Sequence, residues 1–378
     1  MNNKNSVQER FKFSVGYHAF HKNKDINFQL NRFYSFGNWT RADAEEAGNA
    51  IQKVEDWAPT FTGLAERHLA NNRPLAAAFS YRAAELYVLP GDPLKMKLYD
   101  QFIQLFYDTV QIAGLEQVSI PYQDGALPTL RLSSENNHGT IILHGGFDSF
   151  MEEIIILGQY LAEAGYEVII FEGPGQGAAI RKHNLIFTHK WEQPITAVLD
   201  HFDLNNVTLI GISLGGYLAL RAAAFEQRVK RVVCYDISNY DQHGKGLQRA
   251  IFQFFLRNPG VYNWIAEKSM KNIATEWLIK HGMYINGVDT PSEWLALLEH
   301  FSVVDIADRV CQDVLLLAGA EDHMVNIKEF EKNRQGLSAA RSVTGRIFTA
   351  DEQAQNHCQV GNVKLALDVI LDWIATYY

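Results

Sequence analysis

The stretch Val207 to Gly216, VTLIGISLGG, constrains this chain more than any other. An apolar run leads into Gly211-Ile212-Ser213-Leu214-Gly215. Helix formers follow at once: Tyr217, Leu218, Ala219, Leu220, Ala222, Ala223 and Ala224. G-x-S-x-G between a buried strand and a helix reads as a sharp turn that exposes the serine hydroxyl. Backbones press together at such a turn, and Gly211 and Gly215 leave them room. The first amides of the helix then point at whatever Ser213 reacts with, a favourable place for developing negative charge.

The chain after about Leu115 repeats this alternation of strand and helix. Glu116–Tyr122 and Ala126–Leu132 read as a strand pair turned by Gln123-Asp124-Gly125. Thr140–Leu143, Glu167–Phe171, Val207–Ile210, Arg231–Tyr235, Asp313–Leu317 and Val343–Phe348 read as further strands. Helical patterns fall at Ile154–Ala164, Trp191–Phe202 and Val363–Tyr377. Strands alternating with helices predict an α/β fold with a mostly parallel central sheet and helices on both faces. Residues 1–114 differ in kind: Asp43–Asp56, Ala65–Tyr87 and Leu94–Ala113 carry apolar residues at helical spacing, with no strand alternation. They predict an N-terminal helical segment or cap. The sheet pattern also stops over residues 236–306, where Ile251–Arg257, Tyr262–Trp277 and Glu293–Phe301 read as helices. An insertion at that position predicts a helical lid, with Tyr262, Trp264, Trp277 and Trp294 mainly in its core. The core therefore falls into two parts, 115–235 and 307–378.

Composition narrows the partners. A net charge of −9 over 378 residues argues against nucleic acid or an anionic membrane. No apolar run reaches the length of a membrane span or a secretory leader, so a cytoplasmic protein is expected. The three cysteines, Cys234, Cys311 and Cys358, lack metal-type spacing and read as reduced thiols. His183, His189, His201 and His243 lack the i, i+4 pairing of a helical metal site, and no metal or cofactor is expected. Glu172-Gly-Pro-Gly-Gln-Gly177 resembles a phosphate loop but has no Lys-Ser/Thr to hold a nucleotide, and reads as a tight turn. The aromatic Phe11, Phe13, Tyr17, Phe20, Phe33 and Tyr34 are expected to pack on the cap or across a homodimer interface.

A serine hydroxyl needs a histidine base, and the histidine needs an acid that fixes its tautomer. After a turn of this kind the chain order is serine, acid, histidine, the last two on loops after late strands. Asp322 follows the strand DVLLLAG, with Glu321 as its rival. His357 follows the last strand, in Gln355-Asn356-His357-Cys358. His323 adjoins the acid and reads as structural. An oxyanion site would use the amide of Leu214 and one from the loop His144-Gly145-Gly146-Phe147, either Gly146 or Phe147.

GISLGG, FEGPGQG, AGAEDHMV and QNHCQVGN together resemble the α/β-hydrolase superfamily. More narrowly they resemble the branch of 2,6-dihydroxypseudooxynicotine hydrolase and the fungal pigment hydrolases that shorten polyketides. KDINFQLNRFYSFGNW and SYRAAELYVLPGDPLKMKLYDQF resemble that branch's N-terminal cap. The resemblance implies an α/β-hydrolase fold and a catalytic Ser213, Asp322 and His357. It also implies cleavage of a carbon–carbon bond next to a ketone in an aromatic or polyketide-like small molecule. Asp148 stands where the nicotine-pathway enzyme has a substrate-contacting glutamate, one methylene longer. Glu172 replaces the aspartate more usual in that loop. Two alternatives share the same residues: an esterase, thioesterase or acyl-peptide hydrolase with the same triad, and a non-catalytic ligand receptor on the same fold.

Overall fold

The computed structural model describes residues 13–134, 137–237, 247–271 and 273–377. Phe11 and His243 lie outside them. The chain divides into two compact units. The first holds the described residues up to Ala113 together with Glu267–His281 and Val360–Val363. The second holds Gly114–Ala266, Gly282–Gln359 and the chain from Lys364 onward.

The first unit is helical. It contains α1 (Lys24–Phe36), α2 (Arg41–Ala50), α3 (Trp57–Ala70), α4 (Pro74–Leu86) and α5 (Pro93–Thr109). The starts are written locally. The Asn23 side chain accepts from the amides of Asp25 and Ile26, Thr40 and Asp43 form a capping box, and Asp92 caps α5 ahead of Pro93. The continuous helical spacing over Ala65–Tyr87 is in fact two helices. Asn72 adopts a left-handed φ of 54°, and Pro74 starts α4 at a position where its missing N–H costs nothing. Aromatic residues fill the interior. Trp57 donates to the Ala83 carbonyl at 2.6 Å, and Trp39 stacks on Phe61 with centroids 5.3 Å apart. Phe20 and Phe33 are buried within this unit. A buried ion cluster ties α4 to α5: Glu85 takes Arg82 at 2.8 Å and Lys95 at 2.9 Å. Lys95 also donates to the carbonyl of Glu85, in the last turn of α4, and to that of Val88 just past it.

The second unit is built on one eight-stranded sheet. Its strands are β1 (Leu115–Tyr122), β2 (Gly125–Leu132), β3 (Thr140–His144), β4 (Glu167–Phe171), β5 (Val207–Ile212), β6 (Val229–Tyr235), β7 (Asp313–Gly319) and β8 (Ser342–Phe348). Their order is β1-β2-β4-β3-β5-β6-β7-β8. β1 and β2 are antiparallel to their neighbours, and β3 to β8 are parallel. Strands β4, β5 and β7 are buried along their whole length, which needs cover on both faces. The connecting helices are α6 (Met151–Glu163), α7 (Gly177–His183), α8 (Glu192–His201) and α9 (Leu214–Phe225). Because β3, β5, β6, β7 and β8 run the same way, the loops after them open on one edge of the sheet, where parallel sheets hold their ligands.

Between β6 and β7 come α10 (Leu247–Arg257), α11 (Pro259–Ser269), α12 (Ile273–Asn286) and α13 (Pro291–Leu298), with no strand among the described residues. The expected helix Tyr262–Trp277 is two, since α11 ends at Ser269. Trp294 is buried in the second unit, but Trp264 is 61% exposed and so is not core. The chain closes with α14 (Ile327–Gly336) and α15 (Val363–Ala375).

Candidate functional site

Ser213 sits between β5 and α9 at φ 62° and ψ −121°, a sparsely populated conformation that costs about 1–3 kcal/mol. Neighbours hold it there. Its amide donates to the Tyr235 carbonyl at 2.9 Å, and its carbonyl accepts from Gly216 at 2.9 Å. A methyl group at Gly211 would lie 1.9 Å from the Gly215 carbonyl oxygen, so a side chain there would push the turn apart.

The loops after β7 and β8 bring the other two expected residues to it. His357 Nε2 lies 2.8 Å from Ser213 Oγ, and His357 Nδ1 lies 2.6 Å from Asp322 Oδ2. With an acid on Nδ1 the proton sits there, and Nε2 accepts from the serine hydroxyl. Asp322 Oδ1 is held by the amides of Met324 and Val325 at 2.7 and 2.9 Å. Glu321 and His323 are exposed, and it is Asp322 that reaches the imidazole. Burial opposes a charged His357, but the charge of the Asp322 carboxylate and its hydrogen bond to Nδ1 outweigh burial and hold the pKa above the usual imidazole value. Burial likewise opposes ionised Asp322, and the His357 charge and hydrogen bond with the two amides bring its pKa below the usual range.

The loop after β3 meets the turn from the other side. A methyl group at Gly146 would lie 2.6 Å from the Ile212 carbonyl and 2.8 Å from the Leu214 amide nitrogen. Only glycine lets the two backbones approach this closely. Leu214 is the first residue of α9, where amides have no acceptor within the helix. Phe147 and Asp148 follow Gly146, both half-buried. Beneath the loop His144 is fully buried against Phe171 and Trp191, and burial lowers its pKa to about 4. It is therefore neutral, and its Nδ1–H donates to the Gly145 carbonyl at 2.8 Å.

The loop Glu172–Gly177 does more than turn the chain. Gln176 Nε2 donates to the carbonyls of Gly145 and Gly146 at 2.9 and 2.8 Å, and its Oε1 accepts from the Gly173 amide at 2.9 Å. One buried side chain thus fixes which way the Gly145 and Gly146 peptides face. The Glu172 carboxylate accepts from Met151 at 3.1 Å and Ala178 at 2.6 Å, joining the starts of α6 and α7.

A residue that motif reasoning missed is Asp236, at the end of β6. It is 1% exposed, and its Oδ2 lies 3.4 Å from His357 Nδ1. Its sequence signal was position alone: an acid directly after a buried parallel strand, at the edge where the other site residues gather. Asp236, His357 and Cys358 offer oxygen, nitrogen and sulfur donors within 4.8 Å of one another, the donor set of a soft divalent metal. The imidazole of that set is already held by Ser213 and Asp322, and Asp236 by the Cys358 amide and Gln359. A metal would have to displace those bonds.

A family model described as the alpha/beta hydrolase fold matches residues 141–278. The hydrolyase ccsE of Aspergillus clavatus is 30% identical over 295 residues, 70% of this chain and 67% of that protein. The chain belongs to the α/β-hydrolase family. A second fungal protein, hydrolase acrC of Aspergillus aculeatus, is 30% identical over 286 residues, 63% of this chain. The chain spans 66% of acrC's length and 55% of that of another fungal hydrolase, LUC6 of Fusarium. Among solved structures, 2,6-dihydroxy-pseudo-oxynicotine hydrolase superposes with a TM-score of 0.63 at 20% identity, covering 91% of this chain and 94% of that one. That is a likeness of fold. No helix among the described residues is long and apolar enough to cross a membrane.

Proposed function

We propose that this α/β hydrolase is a serine hydrolase that cleaves a carbon–carbon bond next to a ketone in an aromatic or polyketide-like small molecule. The observation that carries the serine mechanism is the hydrogen-bonded line Asp322–His357–Ser213, at 2.6 and 2.8 Å, on a strained turn. His357 Nε2 takes the Ser213 proton as Oγ bonds to the substrate carbonyl carbon, and Asp322 stabilises the imidazolium. The oxyanion is received by the Leu214 amide and by an amide of the loop that Gln176 holds, Gly146 or Phe147. When the tetrahedral carbon collapses, the carbon–carbon bond breaks and its electron pair leaves as an enolate carbon. His357 returns the proton to that carbon. Water then attacks the acyl group, gives its proton to His357 and releases a carboxylic acid, and Ser213 regains its proton.

The resemblance to the ketone-cleaving branch supports the choice of bond. In this reading Asp148, half-buried in the loop after β3, assists the departing enolate by donating a hydrogen bond, directly when protonated or through a water. The reading needs a small-molecule substrate and no cofactor.

The test is a paired assay of wild type and Ser213→Ala on an aromatic 1,3-diketone and on short p-nitrophenyl esters. Serine-dependent diketone cleavage with feeble ester turnover is expected. Fast ester turnover with the diketone untouched would make the protein an esterase. Undiminished activity in Ser213→Ala would overturn the serine mechanism itself.

A further inference from the structure

Asp236 is spent on nothing that the three-residue mechanism needs, yet it is buried against the base. Its Oδ2 accepts from the amide of Cys358, and its Oδ1 accepts from Gln359 Nε2 at 3.2 Å. Those two residues take left-handed backbone angles, φ 50° at Cys358 and 47° at Gln359, immediately after His357. Consecutive non-glycine residues in that region are strained and persist only where their surroundings hold them. The Asp236 carboxyl supplies that hold, binding the main chain of one and the side chain of the other. The same Oδ2 lies 3.4 Å from His357 Nδ1, while Asp322 occupies that nitrogen at 2.6 Å.

Resting on the serine-hydrolase reading above, we infer that Asp236 is a positioning residue for His357 and a second acid for its imidazolium: it clamps the turn that carries the base and stands within reach of the Nδ1 proton. The titratable groups around it are His357, Asp322, Cys358 and Tyr235. Burial, with Asp322 close by, lifts the Asp236 carboxyl to about 7. It therefore gains charge most readily when the imidazole becomes positive, as it does during attack.

Asp236→Asn separates the charge from the clamp. The asparagine oxygen can still accept from Cys358, and its amide can donate to Gln359 Oε1, a buried atom with no hydrogen-bond partner among the described residues. We expect kcat to fall about tenfold with KM little changed, and the acid limb of the kcat/KM profile to move to lower pH, since one negative charge beside the base is lost. An unmoved limb and unchanged kcat would overturn the inference. The second arm removes the first acid. Asp322→Ala should keep at least tenfold more kcat than Asp322→Ala/Asp236→Asn, because Asp236 takes over the Nδ1 proton; equal rates would overturn the second-acid role. If Asp236→Asn does not fold, Asp322→Ala alone decides by proton NMR. A low-field Nδ1–H resonance that persists supports the contact, and its loss overturns it. Ser213→Ala, run alongside, reads the parent mechanism. An active Ser213→Ala sinks that mechanism, whereas an inactive one with indifferent Asp236 variants sinks this inference only.

Discussion

The Ser213 hydroxyl lies 2.8 Å from His357 Nε2 although 144 positions separate the two residues. They stand on loops after β5 and β8, with β6 and β7 between them in the sheet. Three strand spacings amount to about 14 Å, so the histidine loop must reach back across its neighbours. It does so by lying on the loop after β7, where the Glu321 amide donates to the Gln355 carbonyl at 2.8 Å. The contact between His357 and Ser213 is therefore a property of packed loops, and each loop residue that anchors it is open to test.

Ser213→Ala should fold as wild type does and lose about 10⁴-fold or more in kcat, with no labelling by a fluorophosphonate probe. Ser213→Gly should be equally inactive yet more stable, by up to about 1–3 kcal/mol, because glycine relieves the strain at φ 62°. Urea unfolding of the two variants measures the difference. A Ser213→Gly protein less stable than Ser213→Ala would show that the turn stores no such strain.

The pH profile follows from the state of His357. Its pKa is held above the usual imidazole value, and only the neutral ring can take the serine proton. Activity should therefore rise with pH through an inflection above about 6.5 and be lost below it. The stability linkage has the opposite sign. A raised folded pKa stabilises the protein fully below the unfolded value, and that share is lost as pH climbs through the folded one. A kcat/KM profile flat from pH 6 to 8 would contradict this placement of the base.

Gln176 should matter for rate out of proportion to its distance from Ser213. Gln176→Leu removes the Nε2 hydrogen bonds to the Gly145 and Gly146 carbonyls, leaving Gly145 with His144 alone, and takes from the Gly173 amide its Oε1 acceptor. A shift of the loop by about 1 Å is enough to cost about 10²-fold in kcat. Gly146→Ala should do comparable harm by forcing the loop off the Ile212 carbonyl and the Leu214 amide. Measured kcat within twofold of wild type in both would mean that this loop does not hold the oxyanion.

The helical unit offers a separate test of stability. Glu85 is buried and pairs with both Arg82 and Lys95, so Glu85→Ala removes one carboxylate that two buried cations share. Breaking a buried pair in this one-sided way costs about 3–5 kcal/mol. Chemical denaturation followed by tryptophan fluorescence should show the loss. A change below about 1 kcal/mol would mean that water reaches the cluster.

Much of this protein was already written in local sequence. VTLIGISLGG specified a strand, a strained turn and a helix because its apolar run, glycine spacing and alanine-rich tail each act over a few residues. The alternation from Leu115 onward specified a mostly parallel α/β sheet, and the order of Ser213, Asp322 and His357 followed from where late strands end. Helix breaks were harder to read. Apolar spacing continues across Asn71-Asn72-Arg73 as though the helix did, and the local sign of the break is Pro74, whose ring and missing N–H a continuous helix would not tolerate. Asp236, Gln176 and Glu172 were legible only as an acid after a strand and a polar turn. Their partners, the His357 loop, the Gly145–Gly146 carbonyls and the Met151 amide, come from other segments of the chain. Local sequence decides what a segment becomes, because propensity and spacing are short-range. Which buried carboxyl meets which imidazole or amide is decided by the sheet order that brings those segments to one edge, and only the tertiary structure contains it.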